Sequence, residues 1–266
     1  MLRPGMLIYA GEIASAHRHR HAAVQIVATR DAVELRDASG DRVRGGSMVI
    51  PAGAEHEMVG GSAGLLVFVD PAGVTGHALT ARVRRTGLPV DSAAAWAAAG
   101  LAPLDVELCS LEPGQWADRL LGEVGGDVPP RSVHPALRQA TALLPSMLDG
   151  EAGLGRLSAA VGLSASRLGH LFGEELGLPF RAYVRWARLR RAIDHARAGG
   201  TLTAAAHAAG FADSAHLTRV SHEMFGLAPS HLVGTVRWCE PDREGQRVRP
   251  SRRPPVASRL GTCEHS

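Results

Sequence analysis

Two hydrophobic periods divide the chain. Ahead of about residue 83, short apolar or alternating runs such as residues 23–27 are separated by breaks rich in Gly, Asp and Pro. Short, evenly spaced runs of this kind are typical of antiparallel strands. After residue 130 the period becomes helical, and Leu137 and Leu144 fall on one face of residues 134–148. The pattern therefore predicts a β-rich first part and an all-α second part.

The same pattern divides the chain into four segments. Residues 1–85 are predicted to form an all-β barrel. Residues 86–130 are predicted to be a helical connecting and dimerisation region that ends in a Gly- and Pro-rich linker at residues 125–130. Residues 131–236 are predicted to be all-α. Residues 237–266 are rich in Arg, Pro and Ser without an apolar period, which favours a disordered basic tail.

Charge is distributed unevenly along the chain. Residues 1–130 carry 11 Arg against 15 acidic residues, a net charge of −4, whereas residues 131–240 carry 12 Arg against 8 acidic residues, a net charge of +4. This split indicates that only the second half meets a polyanion. All 29 basic residues are arginine, whose planar set of donors suits the recognition of bases and phosphates.

Composition and apolar run length bear on the expected cellular location of the protein. The chain is 45% hydrophobic and 21% charged, as in ordinary globular proteins. Its apolar runs are too short to cross a bilayer, and its first residues lack the basic patch and apolar core of a secretory signal. Cys109, Cys239 and Cys263 have no metal-site spacing, which suggests free thiols. We therefore expect a cytoplasmic protein without membrane contact.

A degenerate repeat occupies the second half of the chain. One copy spans residues 157–172 and is followed by Gly-Leu-Pro at residues 177–179. The other copy spans residues 202–220 and is followed by Gly-Leu-Ala-Pro at residues 226–229. Each copy places an Ala-containing helical segment before a glycine and a second helical segment after it. The repeat predicts two similar helical units.

Each copy has the pattern of a helix-turn-helix unit. Gly162 and Gly210 follow the first helix, where the backbone needs a positive φ. Ser164 and Asp213 can cap the second helix by accepting hydrogen bonds from its free N–H groups. The second helices have inward apolar stripes of Leu168, Leu171 and Phe172, and of Leu217 and Val220. The alternative is a plain helical bundle with solvated polar residues, but two copies with matching turns and caps favour DNA binding.

A single helix is predicted between the two units. Residues 180–198 contain six arginines together with apolar residues at helical spacing. Some of these arginines are expected to contact phosphate and the rest to be solvated. A rigid connector of this kind would hold the two second helices about one duplex turn apart, roughly 34 Å.

Residues 134–232 resemble the AraC/XylS family of bacterial transcription regulators. The similarity includes both units, the linking helix and the segment from Ala209 to Arg219. The resemblance implies double-stranded DNA as a partner, a homodimer, and RNA polymerase as a candidate partner. The residues implied in DNA contact are Ser164, Ser166, Arg167, Gly169, His170, Arg188, Ser214, Ala215, His216, Thr218 and Arg219.

Two positions depart from the family pattern. Gly169 stands where a side chain often contacts a base, so the first unit is expected to read fewer bases. Ser221 stands where the family usually places a buried aromatic residue. We expect the second departure to weaken the second unit's affinity for DNA but not to change its fold.

The N-terminal part resembles a cupin. The first cupin motif is matched by the histidine-rich residues 17–21, followed by Gln25 where glutamate is usual, and the usual closing asparagine of the second motif is absent. The second motif is matched by Gly45, Pro51, Gly53 and His56. The resemblance implies a cupin-like barrel that senses a small-molecule effector, here unknown, and that dimerises.

The histidines suggest a metal site. Alternate residues of a strand face one side, so two of His17, His19 and His21 could point into the barrel. Together with His56 they could form a three-nitrogen site for a divalent metal ion with open coordination positions. The alternatives are that these histidines are exposed or that they line a metal-free ligand pocket.

Two functions from different classes are consistent with these patterns. The leading hypothesis is an effector-responsive, DNA-binding transcription regulator that is not an enzyme, because the repeat and the charge split both favour it. The alternative is a metal-dependent cupin enzyme with a helical appendage, motivated by the four histidines. Metal content and turnover would discriminate between them.

Overall fold

A computed structural model of the chain describes residues 2–3, 6–102, 133–148 and 153–225. It also describes the isolated positions Gln115, Arg119, Gly122, Val124 and Pro229. The predicted linker at residues 125–130 and the predicted basic tail at residues 237–266 lie outside the described residues.

The first domain is a single antiparallel sheet of seven strands. Its strands are β1 Leu2–Arg3, β2 Met6–Ile13, β3 Ala16–His19, β4 Val24–Asp37, β5 Arg42–Ile50, β6 His56–Val59 and β7 Ser62–Val69. The first half of β4 pairs with β7 and its second half with β6, while β5 pairs along its other edge. The strand register of the β4–β5 pair shifts between Ala28 and Val33, where β4 changes neighbours.

The sheet is an open half-barrel. In the part of the chain that the structure describes, strand pairing runs from β1 to β3 with β5 beside β4, and does not return on itself. Its core is largely apolar, with Ile26, Leu35 and Val67 completely buried. The predicted β domain ahead of a helical domain is confirmed, with an open sheet in place of a closed barrel.

The strands end earlier than the sequence pattern predicts. The last strand stops at Val69, and Val74–Arg85 is a helix, α1, rather than the continuation of the β-rich stretch to about residue 83. The reason is the spacing of its apolar residues: Gly76, Leu79 and Val83 recur at helical intervals and form the buried face. A second helix, α2, spans Ala93–Ala98, within the segment predicted to be helical.

Buried Asp37 joins α2 to the sheet. One carboxylate oxygen of Asp37 accepts hydrogen bonds from the backbone N–H groups of Ser39 and Asp41. The other accepts from the N–H of Ala93 at 2.9 Å, in the first turn of α2. Because both oxygens of this buried carboxylate accept hydrogen bonds, these bonds offset the free-energy cost of removing the carboxylate from water.

The second domain is all-α, as predicted. Its helices are α3 Pro135–Leu143, a short 3-10 helix Leu144–Met147, α4 Leu154–Ala160, α5 Ala165–Leu176, α6 Phe180–Arg197, α7 Leu202–Ala208 and α8 Ser214–Phe225. The predicted continuous linking helix is α6. The predicted inward stripes of α5 and α8 are buried. No helix among the described residues has the length and apolar character needed to span a bilayer.

Candidate nucleic-acid interface and histidine cluster

The first helix-turn-helix unit consists of α4 and α5. Gly162 ends the turn after α4 with φ +71°, a conformation that favours glycine. Ser164 then caps α5, and its hydroxyl oxygen accepts a hydrogen bond from the N–H of Arg167 at 3.2 Å. Both predicted local signals are therefore confirmed, and they fix the direction in which α5 leaves the turn.

The second unit, α7 and α8, has the same construction. Gly210 has φ +77°. The carboxylate of Asp213 accepts from the N–H of His216 at 2.6 Å, so Asp213 caps α8 as predicted. A charged cap also interacts favourably with the positive end of the helix dipole.

The outward face of α5 is accessible. Ser166, Arg167 and His170 are exposed, and Arg167 forms an exposed ion pair with Glu174 at 3.5 Å. Gly169 is half-buried, and a Cβ at this position would lie 3.4 Å from Leu154 Cδ2, an ordinary contact distance. Near its capped N-terminus, α5 therefore presents a hydroxyl, a guanidinium and an imidazole.

The outward face of α8 is partly engaged in its own structure. Ala215 and Arg219 are exposed, whereas Ser214, His216 and Thr218 are half-buried. The His216 ring lies edge-on to Phe211, with a centroid distance of 5.2 Å. The hydroxyl of Thr218 donates to the carbonyl oxygen of Ser214 at 2.8 Å. Arg219 is the predicted contact residue on this helix with an exposed long side chain.

The arginines of the linking helix α6 lie in three different surroundings. Arg181 and Arg185 are exposed. Arg188 is half-buried beside the turn of the second unit, where a Cβ on Gly210 would lie 3.2 Å from Arg188 Nε. Arg190 points to the β domain and pairs with Asp70. Ser221, which stands where the family usually places a buried aromatic residue, is itself completely buried.

Three histidines form a cluster inside the β domain. His19, His21 and His56 each offer a ring nitrogen, and these nitrogens all lie within 4.8 Å of one another. His21 and His56 are buried and His19 is half-buried. Nε2 of His56 is buried and has no hydrogen-bond partner among the described residues. An unpaired buried nitrogen facing two other imidazoles is unusual and indicates an incomplete polar site.

Burial keeps the three rings neutral at pH 7. Desolvation lowers the pKa of His21 to about 4, with the neighbouring His19 adding to the effect. Burial likewise holds the pKa of His56 well below its ordinary value and lowers that of His19. Neutral imidazoles carry the nitrogen lone pairs that bind metal ions.

Gln25 completes one side of the cluster. Its side-chain oxygen lies 2.5 Å from Nε2 of His21, while Nδ1 of His21 lies 2.9 Å from the carbonyl oxygen of Ala23. A neutral imidazole can donate only one hydrogen bond. The other ring nitrogen of His21 therefore keeps a lone pair, and this is the nitrogen that could bind a metal ion.

His17 does not join the cluster. The predicted alternation places His17 and His19 on the same side of a strand, but the register of β3 against β6 shifts between Ala16 and His19. His17 is exposed, and its carbonyl oxygen only contacts Nδ1 of His19 at 2.6 Å. Of the four histidines predicted as metal ligands, the structure brings together His19, His21 and His56.

Sequence patterns gave no indication of the contacts between the two domains. Asp70, just after β7, accepts hydrogen bonds from the Tyr183 hydroxyl at 3.2 Å and from Arg190 at 2.5 Å. Asp70 and Arg190 are 120 residues apart in the chain. Their pairing has no local periodicity or motif, so only the folded structure reveals it.

Known proteins resemble the chain in part of its sequence and in its fold. Residues 157–234 match a family model described as a helix-turn-helix domain. Among curated proteins, none matches the sequence. The structure of ToxT from Vibrio cholerae is 9% identical, with a TM-score of 0.55, and the alignment covers 88% of this chain and 100% of ToxT.

Two further solved structures are similar. ToxT with a bound unsaturated fatty acid is 10% identical, with a TM-score of 0.54 and coverage of 89% of this chain and 97% of ToxT. A Chromobacterium violaceum regulator with an AraC-type DNA-binding domain is 23% identical, with a TM-score of 0.36, covering 37% of this chain and 89% of that one.

Two capped helix-turn-helix units joined by one helix follow a β half-barrel, and residues 157–234 match the helix-turn-helix family model across both units. The matched domain is of the AraC type, and the order of the two domains is that of the ToxT fold. The resemblance to AraC/XylS regulators is thereby confirmed, and the enzyme alternative gains no support from these similarities.

Proposed function

We propose that the chain regulates transcription by binding one DNA duplex with both units, the second helix of each lying in one of two successive major grooves. The observation that carries this proposal is the pair of capped N-termini on α5 and α8, followed by exposed polar residues on α5 and by half-buried polar residues and the exposed Arg219 on α8. In helix-turn-helix proteins the N-terminal residues of the second helix contact base edges. The continuous helix α6 supports a fixed separation between the units.

Within this proposal the contact residues have different roles. Arg167 and Arg219 have the length and the paired donors to read guanine. Shorter polar contacts are assigned to Ser166, His170, His216 and Thr218. Ala215 suits a thymine methyl group. Gly169 permits the backbone to approach the DNA closely. The hydroxyls of Ser164 and Ser214 at the helix N-termini and the guanidinium of Arg188 are assigned to phosphates.

A footprint across the promoter region of the chain's own gene tests this function. We expect protection of a defined sequence, and a logarithm of affinity that falls linearly with the logarithm of salt concentration as phosphate contacts release counterions. Random duplex of the same length is the control. Equal affinity for both duplexes, or the absence of any protected sequence near the gene, would contradict the proposal.

We also propose that the β domain is an effector sensor whose ligand includes a divalent metal ion of the zinc type. The cluster fits such an ion, because His19, His21 and His56 are neutral and Nε2 of His56 is buried without a partner. Three imidazoles leave a coordination position open, as in zinc sites that take a further ligand. A bound ion would act there as a Lewis acid that recruits an oxygen or nitrogen atom of a small-molecule effector.

Equilibrium dialysis against Zn²⁺, with Co²⁺ absorption as a second readout, tests the metal site. The intact chain is expected to bind one ion, and His56→Ala is expected to abolish that binding. His17→Ala is the matched control, because His17 is an exposed histidine outside the cluster. Binding that survives in His56→Ala, or is lost in His17→Ala, would place the ion elsewhere.

Three further features belong to the same proposal. The region at residues 86–130, predicted to be helical and apolar, is the candidate surface for a homodimer, and a monomer at micromolar concentration in sizing measurements would contradict this. RNA polymerase is the candidate partner if the bound regulator activates transcription. A cytoplasmic location follows from a DNA target inside a bacterial cell.

A further inference from the structure

The β domain contacts the end of the first unit through a close backbone approach. Gly53 has φ +81°, and a Cβ on it would lie 2.7 Å from the carbonyl oxygen of Gly177, the residue that caps the C-terminus of α5. Leu178 Cδ2 would lie 3.2 Å from the same Cβ. Only glycine permits this contact, so the turn after β5 and the end of α5 are fitted to each other.

The β domain also contacts the end of the second unit. Phe68 of β7 lies edge-on to Phe225, the last residue of α8, with a centroid distance of 4.6 Å. Phe225 in turn lies 6.0 Å from Trp186 of the linking helix. Aromatic pairs in this arrangement stabilise the contact beyond the area that they bury.

A partly buried ion pair joins the β domain to the linking helix. The carboxylate of Asp70 accepts from Arg190, from the hydroxyl of Tyr183 and from the backbone N–H of Ala72. The Asp70 side chain is 13% exposed and that of Arg190 is 27% exposed. Since the pair is shielded from water, it holds its geometry better than a surface ion pair does.

Two of these three contacts between the domains are made by residues that also contact His21 of the histidine cluster. The backbone carbonyl of His21 accepts a hydrogen bond from the N–H of Gly53 at 2.8 Å. The His21 ring lies edge-on to Phe68, with a centroid distance of 5.4 Å. His56 contacts the same turn, because its Nδ1 lies 3.1 Å from the carbonyl oxygen of Ala54. The cluster therefore lies directly behind the surface that holds the C-terminal ends of both reading helices.

We propose that a metal ion held by His19, His21 and His56 strengthens DNA binding by stabilising the docked position of both helix-turn-helix units on the β domain; this rests on the proposed DNA-binding function. An ion shared by His21 and His56 would join the segment whose backbone holds Gly53 to the strand β6 that follows the turn. A ligand shifts a conformational equilibrium only as far as it prefers one state, and this ion prefers the state in which the turn is fixed.

The docked position leaves the DNA-reading faces free. The β domain contacts Gly177 and Phe225 at the C-terminal ends of α5 and α8, whereas Ser166, Arg167 and Arg219 remain exposed. Holding both units in one arrangement removes part of the ordering cost of engaging two grooves at once. The expected direction is therefore tighter DNA binding with the ion than without it.

The test is a titration of labelled promoter duplex in fluorescence anisotropy, with the full chain freed of metal by chelation and then supplied with Zn²⁺. We expect affinity for the promoter duplex to rise on the order of tenfold with the ion, within the usual range of coupling between sites. Linkage requires the duplex to raise Zn²⁺ affinity by the same factor. An unchanged or weakened affinity would overturn the inference.

Two pairs of variants identify the route of coupling. His56→Ala should lose the Zn²⁺ response, while His17→Ala keeps it. Asp70→Asn keeps the side chain's size and one acceptor oxygen but places an amide against Arg190. It should still bind one ion and should lose part of the response, because the Gly53 and Phe68 contacts between the domains remain. Its matched control is Glu223→Gln, which removes the exposed pair between Glu223 and Arg185 within the helical domain.

The outcomes separate the two proposals. A chain that binds no specific duplex with or without Zn²⁺ contradicts the proposed function. A chain that binds its duplex specifically but ignores Zn²⁺ contradicts only the coupling. An equal loss of the response in Asp70→Asn and Glu223→Gln overturns the docking route, because the loss would then not depend on a contact between the two domains.

Discussion

The two helix-turn-helix units have the same local construction in different surroundings. Both turns contain a glycine with positive φ, +71° at Gly162 and +77° at Gly210. A Cβ on Gly162 would meet nothing within 4 Å, whereas one on Gly210 would lie 3.1 Å from the carbonyl oxygen of Leu148 and 3.2 Å from Arg188 Nε. The repeat therefore specifies the turn, while packing against the rest of the domain distinguishes one unit from the other.

The largest expected difference between the units is in stability. Gly210→Ala is expected to lower the free energy of unfolding by about 2–3 kcal/mol, because the left-handed conformation and the crowding by Leu148 both oppose a Cβ. Gly162→Ala incurs only the conformational cost, about 1 kcal/mol. Urea unfolding of both variants measures the two values, and equal losses would show that packing around the second turn contributes nothing.

The next largest expected effect is on DNA specificity. Arg219→Ala should reduce the preference for promoter over random duplex by about 1–3 kcal/mol, the range for one residue that reads a base pair. The reason is that Arg219 is exposed on α8, where His216 and Thr218 are partly engaged in contacts within their own unit. Competition gel shifts measure this preference. Equal weakening on both duplexes would show that Arg219 contacts phosphate.

The helix caps should differ by a smaller amount. Ser164→Ala and Asp213→Ala each remove an acceptor for the first turn of a second helix, at a cost of about 1 kcal/mol in unfolding free energy. The loss should be slightly greater for Asp213, because its carboxylate also faces the positive end of α8. Added salt should narrow the difference in denaturation experiments. A larger loss in Ser164→Ala would contradict the charge argument.

The smallest expected effect has the opposite sign. Gly169 lies inside α5, where glycine lowers helix stability, and a Cβ there would make ordinary contact with Leu154. Gly169→Ala should therefore raise the free energy of unfolding by about 0.5–1 kcal/mol. Thermal unfolding checks the sign. A decrease would show that α5 and α4 are packed too closely for a methyl group.

The helical domain could be predicted from the sequence because its signals are local. Turn glycines, caps such as Ser164 and Asp213, and the apolar stripes all act within a few residues of where they occur. The same locality explains the correct prediction of α6 as one helix. The histidine cluster could be predicted in part, since His19, His21 and His56 belong to short motifs.

Other features depend on interactions across the chain. The change of neighbours along β4 and the register shift that leaves His17 outside the cluster follow from strand pairing, which the hydrophobic pattern does not specify. The pairing of Asp70 with Arg190 joins residues from different domains. The helix at Val74–Arg85 was obscured because it follows directly on a long β-rich stretch.

The most direct test of the account is a binding series in which each base pair of the protected promoter sequence is changed in turn, with the intact chain, Arg167→Ala and Arg219→Ala. If α5 and α8 read consecutive grooves, the two variants lose discrimination at different positions, separated by about 10 base pairs. Loss of discrimination at the same position in both variants, or at no position in either, would contradict the reading of consecutive grooves by α5 and α8.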